Sequence, residues 1–302
     1  MRLFPLLQTI LALVQHQPAP LPALPQLSAR EKAALVVVSG VPAPRGVEAV
    51  IVRPGDPVAS LPRGILVLAD QEGGLVKAFP ALPPWAAASD YGSVAEAFSA
   101  GEETGRALRS AGVDVDLAPV LDAYGGPLGS RHFRRTAFAV AFARGLDVGG
   151  VAACVKHFPG LGTAPISTDE GPRVHARVVP SELAGFRAAI RAGVPCVMTS
   201  NALYRAFGGT RASSGPGAYR LLRRMGFRGV AITDSLDFAG SEHALPLARF
   251  AIRDGADLLL FTNGVDALRA IRALVPLARR GALDRQVTRV LELRRAVGIR
   301  RP

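Results

Sequence analysis

The sequence VKHFPGLGTAPISTDEGP, at residues 155–172, decides how the rest of the chain is interpreted. It continues an apolar run that starts at Gly150 and is typical of a buried strand. The run ends in Lys156 and His157, and a loop rich in Gly and Pro then carries Asp169. Charged side chains at the carboxyl end of a buried parallel strand are the pattern of a barrel active site. A polar turn that merely follows a strand is the alternative.

Apolar runs of strand length recur along the whole chain. They cover residues 34–39, 48–52, 64–69, 114–119, 151–155, 194–199, 229–233 and 256–261. Amphipathic segments with helical spacing separate most of them, for example at 94–111 and 265–280. Eight buried runs that alternate with helices predict an α/β protein with a (β/α)8 TIM barrel. An open doubly wound sheet is the main alternative, but no GxGxxG turn follows an early strand.

The charge and the cysteines argue against two other classes of protein. The net charge of +12 comes mostly from Arg, and the Arg pairs lie in several separate segments. A nucleic-acid-binding surface would be a clustered stripe, so we predict no nucleic-acid partner. Cys154 and Cys196 both lie in apolar runs, which favours two buried thiols over a disulfide or a metal site.

The first 29 residues differ from the rest of the chain. Arg2 precedes a Leu-rich run, and residues 15–25 are rich in Pro. The run is too short for an integral membrane span, and it satisfies only part of the pattern of a secretory signal. We therefore predict a leader or linker at 1–29 and a barrel domain at 30–302. Both a cytoplasmic and an exported location stay open.

Several motifs in order give the chain a family resemblance. KHFPGLG at 156–162 resembles the KHFPGHG signature of family 3 glycoside hydrolases, in particular the single-domain bacterial β-N-acetylhexosaminidases. The stretch at 225–236 resembles LGFDGVVITDDL of the same family, and DQEGG at 70–74 is similar to a third motif. The resemblance extends over roughly residues 30–298. It implies a barrel that hydrolyses terminal β-N-acetylglucosaminides or related β-glycosides with retention of configuration.

The resemblance also assigns roles to individual residues. Asp234 matches the family nucleophile, which forms a glycosyl-enzyme intermediate. The positions that match sugar-binding residues of the family are Asp70, Arg131, Lys156 and His157. The implied partner is a carbohydrate substrate; neither a metal nor an organic cofactor is implied, because the motifs hold no ligand cluster. The sequence leaves the oligomeric state open.

Several positions depart from the family pattern. Asp169 stands where the family has its acid/base His, and Ser167 stands where the family has the Asp that orients it. Ala78 replaces an Arg that contacts the sugar, and Asn201 replaces a His. We predict that Asp169 takes over the acid/base role; the adjacent Glu170 is the alternative, since either carboxyl could protonate a leaving group if the loop folds over the sugar. The alternative is a catalytically degenerate barrel that binds a sugar or a protein partner without turnover.

Overall fold

The computed structural model describes residues 24–299. Most of the predicted leader at 1–29 lies outside the described residues. Residues Leu24–Gln26 form a short 3-10 helix, and Ser28 then caps the first α-helix.

Eight parallel strands form one sheet whose spatial order follows the chain. They are β1 (Val37–Ser39), β2 (Ala49–Val52), β3 (Leu66–Ala69), β4 (Val115–Asp116), β5 (Ala152–Phe158), β6 (Cys196–Thr199), β7 (Val230–Thr233) and β8 (Leu259–Leu260). β1 pairs with β8, so the sheet curves back on itself, and a parallel bridge from Ile232 to Leu258 joins β7 to the start of β8. The predicted (β/α)8 barrel is confirmed, and each predicted apolar run overlaps one of its strands, although β5 continues past the run at 151–155 to Phe158.

The helices lie outside the strands. They are α1 (Ala29–Leu35), α2 (Val94–Ser110), α3 (Thr136–Val148), α4 (Pro180–Arg191), α5 (Pro216–Arg224), α6 (Ser241–Asp254), α7 (Gly264–Arg279) and α8 (Asp284–Ala296). No α-helix separates β1, β2 and β3; a short 3-10 turn at Val58–Ser60 is the only helical piece there. In the part of the chain from 24 to 299, no helix is long and apolar enough to span a membrane.

The start of the first apolar run is helical. The expected strand at 34–39 begins at Val37, because Ala34 and Leu35 complete α1. The Ser28 side chain accepts a hydrogen bond from the Glu31 amide, and the Glu31 carboxylate accepts one from the Ser28 amide. This reciprocal cap fixes the helix start, so an apolar pair that also suits a strand is drawn into the last helical turn.

Alternate side chains of the strands fill two separate cores. One set points into the barrel and includes Leu66, Cys154, Met198 and Ile232. The other set points outward and packs under the helices. Strands buried on both faces require near-continuous apolar runs, which is why the runs stand out so clearly in the sequence.

The expectation of two free buried thiols is wrong. Cys154 on β5 and Cys196 on β6 are directly paired across the sheet, with their Cα atoms 4.3 Å apart, and they form a disulfide. Both side chains point into the barrel interior. An apolar sequence environment suits a buried disulfide and two buried thiols equally. Only the register of the two neighbouring strands, which places the two Cys opposite each other, distinguishes the two cases.

Candidate active site

A pocket of about 270 Å³ opens at the carboxyl end of the strands. Its lining includes all six residues that the sequence singled out, which are Asp70, Arg131, Lys156, His157, Asp169 and Asp234. They come from segments as far apart as β3 and β7. The parallel order of the strands brings them together, because each follows or ends a strand at the same edge of the barrel.

Asp234 directly follows β7 and faces this pocket. Its Oδ1 accepts a hydrogen bond of 2.7 Å from the Ser235 amide. Burial raises the pKa of Asp234, and the charge of Asp169 acts in the same direction, whereas His157 and Lys156 act to lower it. The mutual influence of these groups means that Asp169, His157 and Lys156 lie within electrostatic reach of Asp234 in one site.

Lys156 lies at the floor of the pocket and is almost fully buried. Its Nζ is 2.6 Å from Asp70 Oδ1 and 2.5 Å from Glu72 Oε1. Burial acts to lower the pKa of Lys156, but the charges of Asp70 and Glu72 raise it above its ordinary value. Lys156 therefore stays charged and fixes the Asp70 carboxylate, which is partly exposed to the pocket.

Glu72 connects the two cations of the site, a role that the sequence did not reveal. Arg131 Nε and Nη2 donate to the two Glu72 oxygens over 2.7 and 2.8 Å. Burial acts to raise the pKa of Glu72, but Lys156 and Arg131 lower it to about 2. Asp70 and Glu72 are two positions apart in an extended segment, so both carboxylates face the same side. This spacing of two residues is the feature of the sequence from which a place for Glu72 in the site could have been predicted.

A tight hairpin presents Glu72 to the pocket. The short strands Gln71–Gly73 and Val76–Lys77 pair antiparallel; Gly73, at φ +96°, ends the first strand, and Gly74, at φ +57°, begins the turn. A Cβ on Gly73 would lie 2.4 Å from the Ala86 carbonyl oxygen. Both the backbone conformation and the close approach therefore require glycine here.

His157 is held by Asp122, another residue that was not predicted. His157 Nδ1 is 2.7 Å from Asp122 Oδ2, and the His157 and Leu161 amides both donate to Asp122 Oδ1. Burial acts to raise the pKa of Asp122, but the His157 charge and these hydrogen bonds lower it overall. The Asp122 carboxylate thus fixes the ring of His157, which lines the pocket.

The loop that carries Asp169 has its own internal hydrogen bonds. Ser167 Oγ accepts from the Asp169 amide and is 3.2 Å from Asp169 Oδ2. The Ser167 amide donates to Glu170 Oε1 over 3.0 Å. Asp169 is exposed at the pocket mouth, and Glu170 does not line this pocket. Of the two loop carboxylates, Asp169 is therefore the one placed near Asp234.

Asn201 supports the backbone next to Asp234 and does not line the pocket itself. Its Nδ2 donates to the Ser235 carbonyl over 2.7 Å, and its Oδ1 accepts from Ser213 Oγ over 2.6 Å. Asn201 is buried, as is Ala78. At the two positions that depart from the family pattern, Ala78 thus leaves a small apolar side chain, and the amide of Asn201 has hydrogen-bond partners for both its nitrogen and its oxygen.

The profile of the glycosyl hydrolase family 3 N-terminal domain matches residues 56–293. A β-hexosaminidase of Stenotrophomonas maltophilia (strain R551-3) is 32% identical over 264 residues, covering 74% of this chain and 78% of the relative. A β-hexosaminidase of Methylococcus capsulatus is 33% identical over 243 residues, or 71% of each protein.

Two solved structures have a similar fold. A family 3 β-N-acetylglucosaminidase from Paenibacillus sp. superposes with a TM-score of 0.80 at 25% identity, over 90% of this chain. The chain spans 63% of that protein's length. A β-N-acetylhexosaminidase from Beutenbergia cavernae superposes with a TM-score of 0.78 at 25% identity, over 89% of this chain and 98% of that one.

Proposed function

Because the chain belongs to glycosyl hydrolase family 3, we propose that it hydrolyses terminal β-N-acetylglucosaminides or related β-glycosides with retention of configuration. The names of its relatives support the sugar class. The observation that carries the proposal is the placement of Asp234. It lies at the end of a barrel strand, in a pocket whose other polar residues suit the hydroxyls of one sugar ring.

In the first step, an Asp234 oxygen forms a bond to the anomeric carbon. The bond from that carbon to the leaving oxygen breaks, and an acid supplies a proton to the leaving oxygen. In the second step, water attacks the same carbon, Asp234 leaves as a carboxylate, and the acid recovers its proton from the water. Asp70 accepts hydrogen bonds from sugar hydroxyls. Lys156, Arg131 and His157 donate hydrogen bonds to the sugar, and each of them is itself held by a carboxylate of the site.

We assign the acid/base role to Asp169. It is the loop carboxylate that lines the pocket, and its charge influences both Asp234 and Arg131. Its exposure means that the loop at 161–172 has to cover the bound sugar before proton transfer becomes efficient, since a water-filled mouth weakens a directed proton donation.

Asp169→Ala is expected to slow substrates with poor leaving groups by about 10²-fold and those with good leaving groups by less than about 10-fold. Proton donation matters most when the leaving oxygen is basic. The measurement is kcat/KM for N,N′-diacetylchitobiose and for 2,4-dinitrophenyl β-N-acetylglucosaminide. Glu170→Ala is the matched control, because Glu170 lies next to Asp169 but outside the pocket. Equal losses on both substrates would exclude Asp169 as the acid.

The pH dependence of kcat/KM is expected to reflect the raised pKa of Asp234. The nucleophile has to be ionised, so activity is lost as the pH falls through a value above that of an ordinary Asp. His157 acts to lower the pKa of Asp234, so His157→Asn should move this acidic limb to higher pH. Profiles between pH 3 and 8 measure the shift separately from any loss in overall rate. A limb that stays in place would contradict the proposed electrostatic coupling.

The direct test of the proposed function uses the wild-type protein. Hydrolysis of an aryl β-N-acetylglucosaminide is followed, and ¹H NMR identifies the first anomer formed, which should be β. An α-anomer would contradict retention.

A catalytically degenerate barrel is the second candidate, favoured by the exposure of Asp169. In that case N-acetylglucosamine would bind, but neither the aryl glycoside nor the disaccharide would turn over. Turnover of the aryl glycoside alone would mean a working nucleophile with a weak acid.

A further inference from the structure

A second cavity, of about 670 Å³, lies at the opposite end of the barrel from the site above. Its walls are the carboxyl-terminal turns of α5 and α6, the connection from α7 to α8, and the first turns of α8. These helix ends lead into β7 and β8, so the cavity lies at the amino end of the strands. It shares no lining residue with the pocket around Asp234.

Arginine dominates the lining of this cavity. The six that line it are Arg220, Arg223, Arg224, Arg253, Arg285 and Arg289. One carboxylate, Asp254, lines it as well. The sequence places these arginines on three helices and in separate segments, and only the fold gathers them around one concavity.

Carboxylates neutralise only part of this charge. Buried Asp257 is shared by Arg223 and Arg289, and it also accepts from the Ala231 amide. Asp254 pairs with Arg253. Asp284 precedes Arg285 in the chain but pairs with Lys32.

Three arginines keep a free positive charge. Within residues 24–299, no carboxylate forms an ion pair with Arg220, Arg224 or Arg285, and the side chains of all three are exposed. Deeper in the cavity, burial lowers the pKa of Arg223. The charges of Arg289 and Arg228 act in the same direction, whereas the charge of Asp257 acts to raise it. Positive charge thus exceeds negative charge both at the mouth and at the base of this concavity.

We propose that this arginine cavity is a binding site for a small phosphorylated molecule. Guanidinium groups bind phosphate oxygens in pairs through their planar fork of donors, and a concave site strengthens the field at its mouth. Ile252 and Leu277 supply an apolar wall for the remainder of the ligand. The volume is in the range of cavities that hold small ligands. A nucleic acid would instead require a long basic stripe, which these residues do not form.

The test is binding of inorganic pyrophosphate, measured by isothermal titration calorimetry at two salt concentrations. The wild type should bind saturably, and more weakly at high salt. Arg220→Glu/Arg285→Glu should weaken binding by about 10-fold or more, because it removes two charges and adds two of the opposite sign. Both side chains are exposed, so folding should be retained, and the Tm of the variant checks this.

Arg144→Glu/Arg187→Glu is the matched control. It makes the same change in net charge at exposed positions of α3 and α4, which do not line the cavity. Its affinity for pyrophosphate should stay within about twofold of the wild type. The proposal is overturned if the wild type shows no saturable binding up to about 10 mM, or if both double variants lose affinity equally. Binding that is unchanged in Arg220→Glu/Arg285→Glu would place the ion elsewhere and would also overturn it.

Discussion

Asp234→Asn is expected to lower kcat/KM for aryl β-N-acetylglucosaminides by at least about 10³-fold. The amide has the same shape as the carboxylate, and its oxygen can still accept from the Ser235 amide, so the pocket should remain intact. The Asn amide cannot attack the anomeric carbon as a carboxylate does, because it carries no negative charge and its oxygen is a much weaker nucleophile. The loss should therefore be mainly in kcat, with sugar binding nearly unchanged.

The same substitution should leave stability unchanged or raise it. Burial raises the pKa of Asp234, which means that the fold disfavours the ionised carboxylate relative to the unfolded chain. At neutral pH the charged side chain therefore costs stability, and a neutral Asn removes that cost. A rise in Tm together with a loss of activity would mark Asp234 as a group kept for chemistry rather than for folding.

Asp147→Asn controls for the change of one carboxylate to an amide. Asp147 is exposed on α3, away from the pocket, and its substitution should leave kcat/KM within about twofold. If Asp234→Asn retained a tenth of the wild-type rate, the nucleophile would have to be another group. Asp169 would then be the next residue to test, since it is the other carboxylate at the pocket with a proposed catalytic role.

The barrel was predictable because its signal is strong and local. Strands buried on both faces, such as Leu66–Ala69 and Val230–Thr233, read as continuous apolar runs, and polar residues follow directly where the strands end. The position of Asp234 follows from this pattern. The pattern also explains why residues with proposed roles from β3 to β7 meet in one pocket.

Other features depend on contacts between segments that are far apart in the sequence. Glu72 and Asp122 belong to the site through their contacts with Arg131, in the 3-10 turn Gly129–Arg131, and with His157, near the end of β5. The Cys154–Cys196 disulfide depends on the register between β5 and β6. In the same way, the arginine cavity assembles residues of α5, α6 and α8 that appear scattered in sequence. Each of these follows from tertiary packing rather than from local pattern.

Lys156→Met is expected to destabilise the protein by about 3 kcal/mol and to lower its Tm by roughly 4–6 °C. Met nearly matches Lys in length and packs in apolar surroundings, so the loss of charge dominates. Without Lys156, Arg131 is the one ion-pair partner that buried Glu72 keeps among residues 24–299, and Asp70 loses its contact with the Lys156 ammonium. A buried carboxylate that loses one of two cations carries a desolvation penalty that is no longer fully offset. Urea unfolding at pH 7 measures the difference.

The pH dependence of that difference separates an electrostatic cause from poor packing. The pKa of Glu72 is lowered in the fold from its ordinary value near 4.5 to about 2. Its contribution to stability is therefore present above the ordinary value and is lost as the pH falls toward 2. The gap between wild type and Lys156→Met should shrink over this range, whereas a packing defect would persist.

Lys77→Met provides the control among the three lysines of the chain. Lys77 Nζ donates to the exposed Pro80 carbonyl and lies 4.6 Å from the centre of the Trp85 ring, so its removal should cost less than about 1 kcal/mol. If Lys156→Met costs no more than Lys77→Met, the cluster of Asp70, Glu72 and Arg131 does not depend on its central cation for stability. Lys156 would then be retained for sugar binding alone, since it would still be the group that holds the Asp70 carboxylate at the pocket floor.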